Sequence, residues 1–351
     1  MIQIFGTVCY DKVRIIDEFP NLIGSYTTVN SEKMFLGGEA SNTFMCLIRW
    51  LIENNENKES VKLIAEPIKK DSNGEIVLSF LEPYKDNVTY TCLIDKDQDN
   101  EFLKNSPGAD IYVCLKEKER TMFGIGFVEA DQLMYNIKSK IFNDCLQFGN
   151  EHWIALDYNT PFISKEIIKK AVETKTNLYI MDHEIDSVIK ELVNSSDGVL
   201  ENLKEMSLVY QSSSDWFGNK NGDKQVFLTT MKEWLQSNNG ANKYFLLILT
   251  DSKNGFGVGG TLRNYKTGES TYIEPYWFDP VQIPSDKIVD STGAGDAFRA
   301  GLIYSLIYKN QALNKSLQFA SASGGLNCLS YGGNSRTPTF KEILELINSK
   351  Q

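Results

Sequence analysis

Histidine is nearly absent from this 351-residue chain, which carries only His152 and His183. That leaves almost no material for a histidine-based metal centre or a Ser-His-Asp relay, both of which depend on the imidazole. The six cysteines (Cys9, Cys46, Cys92, Cys114, Cys145 and Cys328) are scattered, with no C-x-x-C pair, so neither a zinc motif nor a dithiol redox motif follows. A basic excess is lacking as well. Lys and Arg number 36 against 46 Asp and Glu, for a net charge of −10, which argues against a nucleic-acid partner because phosphate footprints need clustered cations. An acidic chain can still hold a single phosphate on a few backbone N–H groups. The longest clearly apolar run, Tyr244 to Leu249, falls far short of the ~20 residues a membrane span needs. The opening Met1-Ile2-Gln3-Ile4-Phe5-Gly6 has no basic segment or cleavage site, so no secretory signal is expected. A soluble, cytoplasmic protein with no membrane partner is the expectation.

What is present is a repeating alternation. Ile2–Cys9, Val61–Ala65, Val88–Ile94, Trp153–Leu156, Leu178–Met181, Leu208–Tyr210 and Tyr244–Leu249 read as buried strands. Between them, Asn42–Ile52, Ile76–Leu81, Ala130–Phe148, Ile163–Val172 and Met231–Leu235 carry apolar residues at helical spacing. Such alternation predicts an α/β fold, a doubly wound and mainly parallel sheet with helices on both faces. Two helices, Ala297–Tyr308 and Leu313–Leu329, and a last one after Pro338 fill the C-terminal third. Two β-rich stretches break the pattern, Val13–Leu36 and Asp110–Phe127, and are expected to pair with each other as a small β-lid. The chain is otherwise read as one domain spanning 1–351.

The segment that carries chemistry is Asp290-Ser291-Thr292-Gly293-Ala294-Gly295-Asp296-Ala297-Phe298. An apolar Ile288-Val289, read as a strand, runs into a Gly-Ala-Gly turn that opens onto a helix. The small residues leave the N–H groups of Gly293, Ala294 and Gly295 aimed with the helix dipole at whatever lies above the helix N-terminus. Negative charge developing on a transferring phosphoryl group would be stabilised there. Asp296, one residue further on, is placed to accept a proton from an attacking hydroxyl. An ordinary glycine turn with a helix-capping Asp is the plain alternative.

This string resembles the C-terminal signature of the ribokinase, or phosphofructokinase-B, family of carbohydrate kinases. Gly37-Gly38-Glu39-Ala40-Ser41-Asn42 is similar to the family's N-terminal Gly-Gly-x-x-x-Asn, ahead of a helix that reaches Arg49. Partial matches follow in the family's order: Gly6 and Asp11, Asp71 and Gly74, Asp157 and Asn159, Thr250 and Gly255, Gly332 and Pro338. The resemblance implies a ribokinase-like fold and ATP-dependent transfer to a hydroxyl of a small-molecule sugar or sugar-like acceptor. It implies that Asp296 is the base and Gly293–Gly295 the anion hole, with Asp11, Gly37, Gly38 and Asn42 holding the acceptor. Thr250, Gly255 and Asn327 would then line the nucleotide site. It further implies Mg²⁺, a monovalent cation such as K⁺ as an optional activator, and a homodimer through the lid. The family's Asn-x-x-Glu is altered here to Ser212-Ser213-Ser214-Asp215, so Asp215 is expected to reach the metal through water.

A literal G-x-G-x-x-G, Gly255 to Gly260, is a decoy, because a dinucleotide fingerprint must open a helix and here a β-hairpin is expected to follow. Glu39 beside the glycine pair would repel an anionic acceptor and favours a neutral sugar. Nucleoside and phosphosugar kinases, and a non-catalytic sugar or nucleotide sensor on the same fold, are the alternatives.

Overall fold

The computed structural model describes the chain except residues 21–23, 99, 117–118, 158, 182–183, 196, 214–222 and 350–351. In chain order its first elements are β1 (Ile2–Gly6), β2 (Cys9–Ile16), β3 (Val29–Gly37), α1 (Glu39–Glu53), β4 (Val61–Ala65), β5 (Ile68–Lys69) and α2 (Ser72–Leu81). There follow β6 (Val88–Tyr90), β7 (Leu93–Ile94), β8 (Gly108–Cys114), β9 (Glu119–Ile125), α3 (Phe127–Asn136), α4 (Lys138–Lys140), β10 (Trp153–Leu156) and α5 (Pro161–Thr174). Next come β11 (Asn177–Met181), α6 (Ile185–Ser195), α7 (Val199–Glu205), β12 (Leu208–Ser213) and α8 (Lys224–Gln236). The chain closes with β13 (Phe245–Thr250), β14 (Phe256–Arg263), β15 (Ser270–Phe278), α9 (Ala294–Leu302), α10 (Leu313–Asn327) and α11 (Phe340–Asn348). These elements group into two compact units, Met1–Phe5 with Ile137–Pro280, and Gly6–Asn136 with Val281–Gln351.

The first unit holds strands in the order β15-β14-β13-β12-β11-β10-β1. From β1 to β13 every pairing is parallel, and β14 and β15 add antiparallel strands at the end. Parallel neighbours need long crossovers, and α5, then α6 with α7, then α8 supply them. All residues of β10 and β11 are buried, as continuous apolar strands covered on both faces should be. Pro161 at the first helical position starts α5, where its missing N–H costs nothing, and left-handed Lys175 stops it. Of the decoy glycines, Gly255 immediately precedes β14 and the others lie in it; β14 turns back into β15, so they open no helix.

The second unit contains a four-stranded sheet, β3-β2-β8-β9, in which β2 pairs with both β3 and β8. The two stretches that broke the alternation therefore meet in one sheet of their own. One buried cluster, Val13, Ile111 and Val113, packs with Phe35, Ala109 and Tyr331. Helices α1, α9, α10 and α11 pack around one another in the same unit. Trp50 of α1 is buried edge-on against Tyr304 and Phe319, and its Nε1–H donates to the Pro338 carbonyl at 2.8 Å. Arg49 donates to the neighbouring Thr337 carbonyl at 2.7 Å. Burying an indole this completely is worth a few kcal/mol at ~25 cal/mol per Å², and it fixes α1 against the segment that follows α10.

Two expectations are corrected here. Ile288-Val289 is not a strand: the chain from Ile288 to Ser291 has no regular structure, and both residues are two-fifths exposed. Two apolar residues offer too little to bury and pair, and the Val289 N–H bonds instead to the Cys328 carbonyl. Ala297–Tyr308 is not one uniform helix, because α9 ends at Leu302 and a wider turn runs from Ile303 to Tyr308.

Candidate active site

The site is built where the loop 290–293 enters α9 in the second unit. Asp290 holds the loop from within: its Oδ1 accepts from the Thr292 N–H at 2.9 Å and the Thr292 hydroxyl at 2.7 Å, and its Oδ2 accepts from the Gly332 N–H at 2.9 Å. Asn327 of α10 holds it from behind, donating to the Thr292 carbonyl at 2.9 Å. Gly293 takes the N-cap of α9 with φ 75°, and a Cβ there would stand 2.5 Å from the Gly333 carbonyl oxygen. Only glycine satisfies both the left-handed backbone and that approach.

The expected anion hole is narrower than the sequence suggests. The Ala294 N–H donates to the Ser291 carbonyl at 3.2 Å, closing the turn that left-handed Gly293 creates, so it does not stand open. Asp296 follows in the first helical turn, buried, and its Oδ2 accepts from the side-chain amide of Asn42 at 2.8 Å. It is not a side-chain cap of α9, whose N-cap is Gly293 without any side-chain hydrogen bond.

Asn42 lies in the first turn of α1, buried, four residues past the glycine pair. Its Oδ1 accepts from Asn334 Nδ2 at 2.8 Å, so its amide is engaged by protein at both ends. Gly38 has φ 97° and a Cβ on it would stand 2.3 Å from the Thr7 carbonyl oxygen. At Gly37 a Cβ would overlap the carboxylate of Asp11, 2.0 Å from Oδ1. The glycine pair thus makes room, first for the Asp11 side chain and then for the backbone crossing that starts α1.

Asp11 lies within β2, opposite Phe35 of β3 and Ala109 of β8. Burial pushes its carboxyl up to about 7. The Cys9 thiol, 3.6 Å from Oδ1, opposes that rise; the charges of Asp296 and Asp290 add to it, and Arg120 counters. Arg120 of β9 donates to Ser291 Oγ at 2.6 Å and stands 3.7 Å from Asp290, tying the small sheet to the loop. Arg299, fully buried on α9, donates to Thr43 Oγ1 at 2.8 Å and to the Glu39 carbonyl at 2.6 Å. A guanidinium buried this way is costly unless partnered, and these bonds clip the start of α1 to α9.

Asp11, Gly37, Gly38, Asn42, Gly293–Asp296 and Asn327 are thus brought into one unit. Asn327, expected on a nucleotide wall, donates its amide to the loop. Thr250 and Gly255 belong to the first unit. There the Thr250 hydroxyl donates to the Ser212 carbonyl at 3.3 Å, and Gly255, with φ 118°, passes where a Cβ would meet the Phe278 carbonyl oxygen at 2.5 Å. Asp215 lies outside the described residues. Among the described residues no group of three or more His, Cys, Asp or Glu could hold a metal ion, and no helix is long and apolar enough to cross a membrane. Sequence reasoning missed Asn334, Arg120 and Arg299, which carry no motif signal of their own.

Comparison with known proteins gives a consistent result. Residues 276–339 match the model of the pfkB family of carbohydrate kinases. An uncharacterized sugar kinase of Dictyostelium discoideum is 53% identical over 363 aligned positions, covering 100% of this chain and 99% of that protein. Among solved structures, a nucleoside kinase of Methanocaldococcus jannaschii, an archaeal member of the ribokinase family, superposes with a TM-score of 0.66 at 16% identity, covering 99% of this chain and 98% of the other. The ribokinase of Arabidopsis thaliana complexed with ribose and ATP superposes at 0.64 and 14% identity, covering 99% and 98%.

Proposed function

Since the chain belongs to the pfkB family of carbohydrate kinases, we propose that it transfers the terminal phosphoryl group of ATP to a hydroxyl of a neutral sugar, with Asp296 as the base. The observation that carries this reading is the buried Asp296 with an amide donor on Oδ2, in the first turn of a helix entered through Gly293. A donor on that oxygen favours the ionised carboxylate, the form able to accept a proton. The first-turn amides and the dipole of α9 favour negative charge above the same helix end.

The acceptor is held by Asp11, whose short carboxylate can accept two hydroxyl hydrogen bonds. Glu39 and the mutually repelling Asp11, Asp290 and Asp296 disfavour an anionic acceptor, which ranks a phosphosugar below a neutral sugar. A nucleoside is the second reading, supported by the fold likeness to the archaeal nucleoside kinase. ATP is the donor by the same token as the ribose–ATP complex, and Mg²⁺ arrives on its phosphates, because neutralising a triphosphate asks for more charge than backbone amides carry. Thr250 and Gly255 are the residues we assign to the nucleotide. The β2–β3 and β8–β9 sheet is the lid, and exposed Met122 and Phe123 on β9 make it the face through which two copies would pair.

A coupled ADP-release screen over neutral sugars, nucleosides and phosphosugars tests the reading. Turnover with a neutral sugar is expected; turnover confined to nucleosides or phosphosugars replaces the acceptor, and nucleotide or sugar binding with no turnover anywhere replaces the enzyme by a sensor.

A further inference from the structure

We propose that Asn334 is a positioning residue of the active site: through Asn42 it fixes which end of an amide faces Asp296. The argument starts from a backbone carbonyl. Asn334 donates to the Leu36 carbonyl at 2.8 Å, and a carbonyl can only accept, so the atom facing it must be the Asn334 NH₂. The same Nδ2 reaches Asn42 at 2.8 Å, and an NH₂ can only donate. Asn42 must therefore present its oxygen to Asn334 and its own NH₂ to Asp296, 2.8 Å from Oδ2. An amide's orientation is otherwise set only by its surroundings; here one backbone carbonyl sets it through two side chains.

The backbone is shaped for this chain of contacts. A Cβ on Gly333 would stand 2.5 Å from Asn42 Nδ2, so the residue beside Asn334 has to be glycine for the Asn42 amide to lie where it does. With the orientation fixed, Asp296 meets a donor, which stabilises its charged form and holds the plane of its carboxylate. With the amide reversed, Asp296 would face a carbonyl oxygen and would hold a proton to higher pH, unable to accept another. The charge of Asp296 also raises the carboxyl of Asp11 from β2 and the thiol of Cys46 from α1, and the Asn334 amide bonds to the Leu36 carbonyl and to Asn42 rather than to either of them.

The proposal rests on Asp296 being the base, and its test is read without substrate so that the two can fail separately. In ligand-free protein labelled with ¹³C at aspartate carboxyls, the Asp296 resonance is assigned by its loss in Asp296→Asn and titrated. Asn334→Leu is expected to raise its midpoint by about one pH unit. Asn42→Leu should raise it as well, and the double variant should rise no further than Asn42→Leu alone, since both act through one contact. If leucine at 334 prevents folding, Asn334→Ser, too short to reach both oxygens, gives the same reading. An unmoved midpoint in the folded 334 variant, or two shifts that add, overturns the proposal. Undiminished turnover of Asp296→Asn would instead remove the base reading and leave this amide relay standing.

Discussion

Asn42 and Asp296, 254 positions apart in the chain, are joined by a 2.8 Å hydrogen bond from the amide of one to Oδ2 of the other. The bond links the first turn of α1 to the first turn of α9, the two places where the family's glycine-rich signatures lie. Around it stand Asp11, the glycines that admit its side chain, and a loop clamped by Asp290 and Asn327. Each of these contacts lies within the second unit.

Asp11 gives the first prediction. The folded protein holds its proton up to about pH 7, whereas an unfolded chain releases it near 3.8. Native protein binds the extra proton across that window, so stability falls as pH rises through it. Asp11→Asn removes the buried charge and should raise the melting temperature at pH 8 relative to wild type, with a smaller gain at pH 5. Equal effects at both values in thermal denaturation would show that Asp11 is not protonated in the folded state.

Gly38→Ala places a Cβ 2.3 Å from the Thr7 carbonyl oxygen at a φ of 97°. Strain and overlap together should cost roughly 1–3 kcal/mol. Denaturant unfolding checks this, and a loss below ~0.5 kcal/mol would mean that the turn relaxes freely.

Arg120 ties β9 to Ser291 and Asp290. Partly exposed, it should contribute only about 1 kcal/mol or less to global stability. Its effect should be local: Arg120→Gln is expected to speed hydrogen exchange in β9 with little change in the core strand β11. Uniform acceleration across both would assign Arg120 to the stability of the whole fold rather than to this local tie.

Acceptor binding through Asp11 predicts that Asp11→Ala raises the acceptor KM at least tenfold and leaves the ATP KM nearly unchanged. Steady-state kinetics with both substrates varied decides it; an unaltered acceptor KM takes Asp11 out of the site.

Much of this was readable from local sequence. The parallel strands are continuous apolar runs, and the α9 entry is a contiguous string, so both announce themselves without tertiary information. Helix α6 carries the same kind of local signal, with Ile185, Val188, Ile189 and Leu192 buried at helical spacing, although it is not among the helices expected from the sequence. Ile288-Val289 misled because two β-branched residues look like a strand whether or not a neighbour exists to pair with them. Asn334 could not be read at all. Its role depends on the Leu36 carbonyl, 298 positions away, and a polar residue in a Gly-rich turn looks like any solvated loop. The same holds for the Ala294 amide, whose partner is decided by the sign of φ at Gly293.

The central claim, that Asp296 accepts the proton of the attacking hydroxyl, is tested most directly by the turnover of Asp296→Asn with the acceptor found in the screen. The substitution keeps the shape of the side chain and removes the proton acceptor. The account predicts a loss on the order of 10²–10⁴ in kcat with ATP binding retained by calorimetry. Turnover within a few-fold of wild type would contradict it.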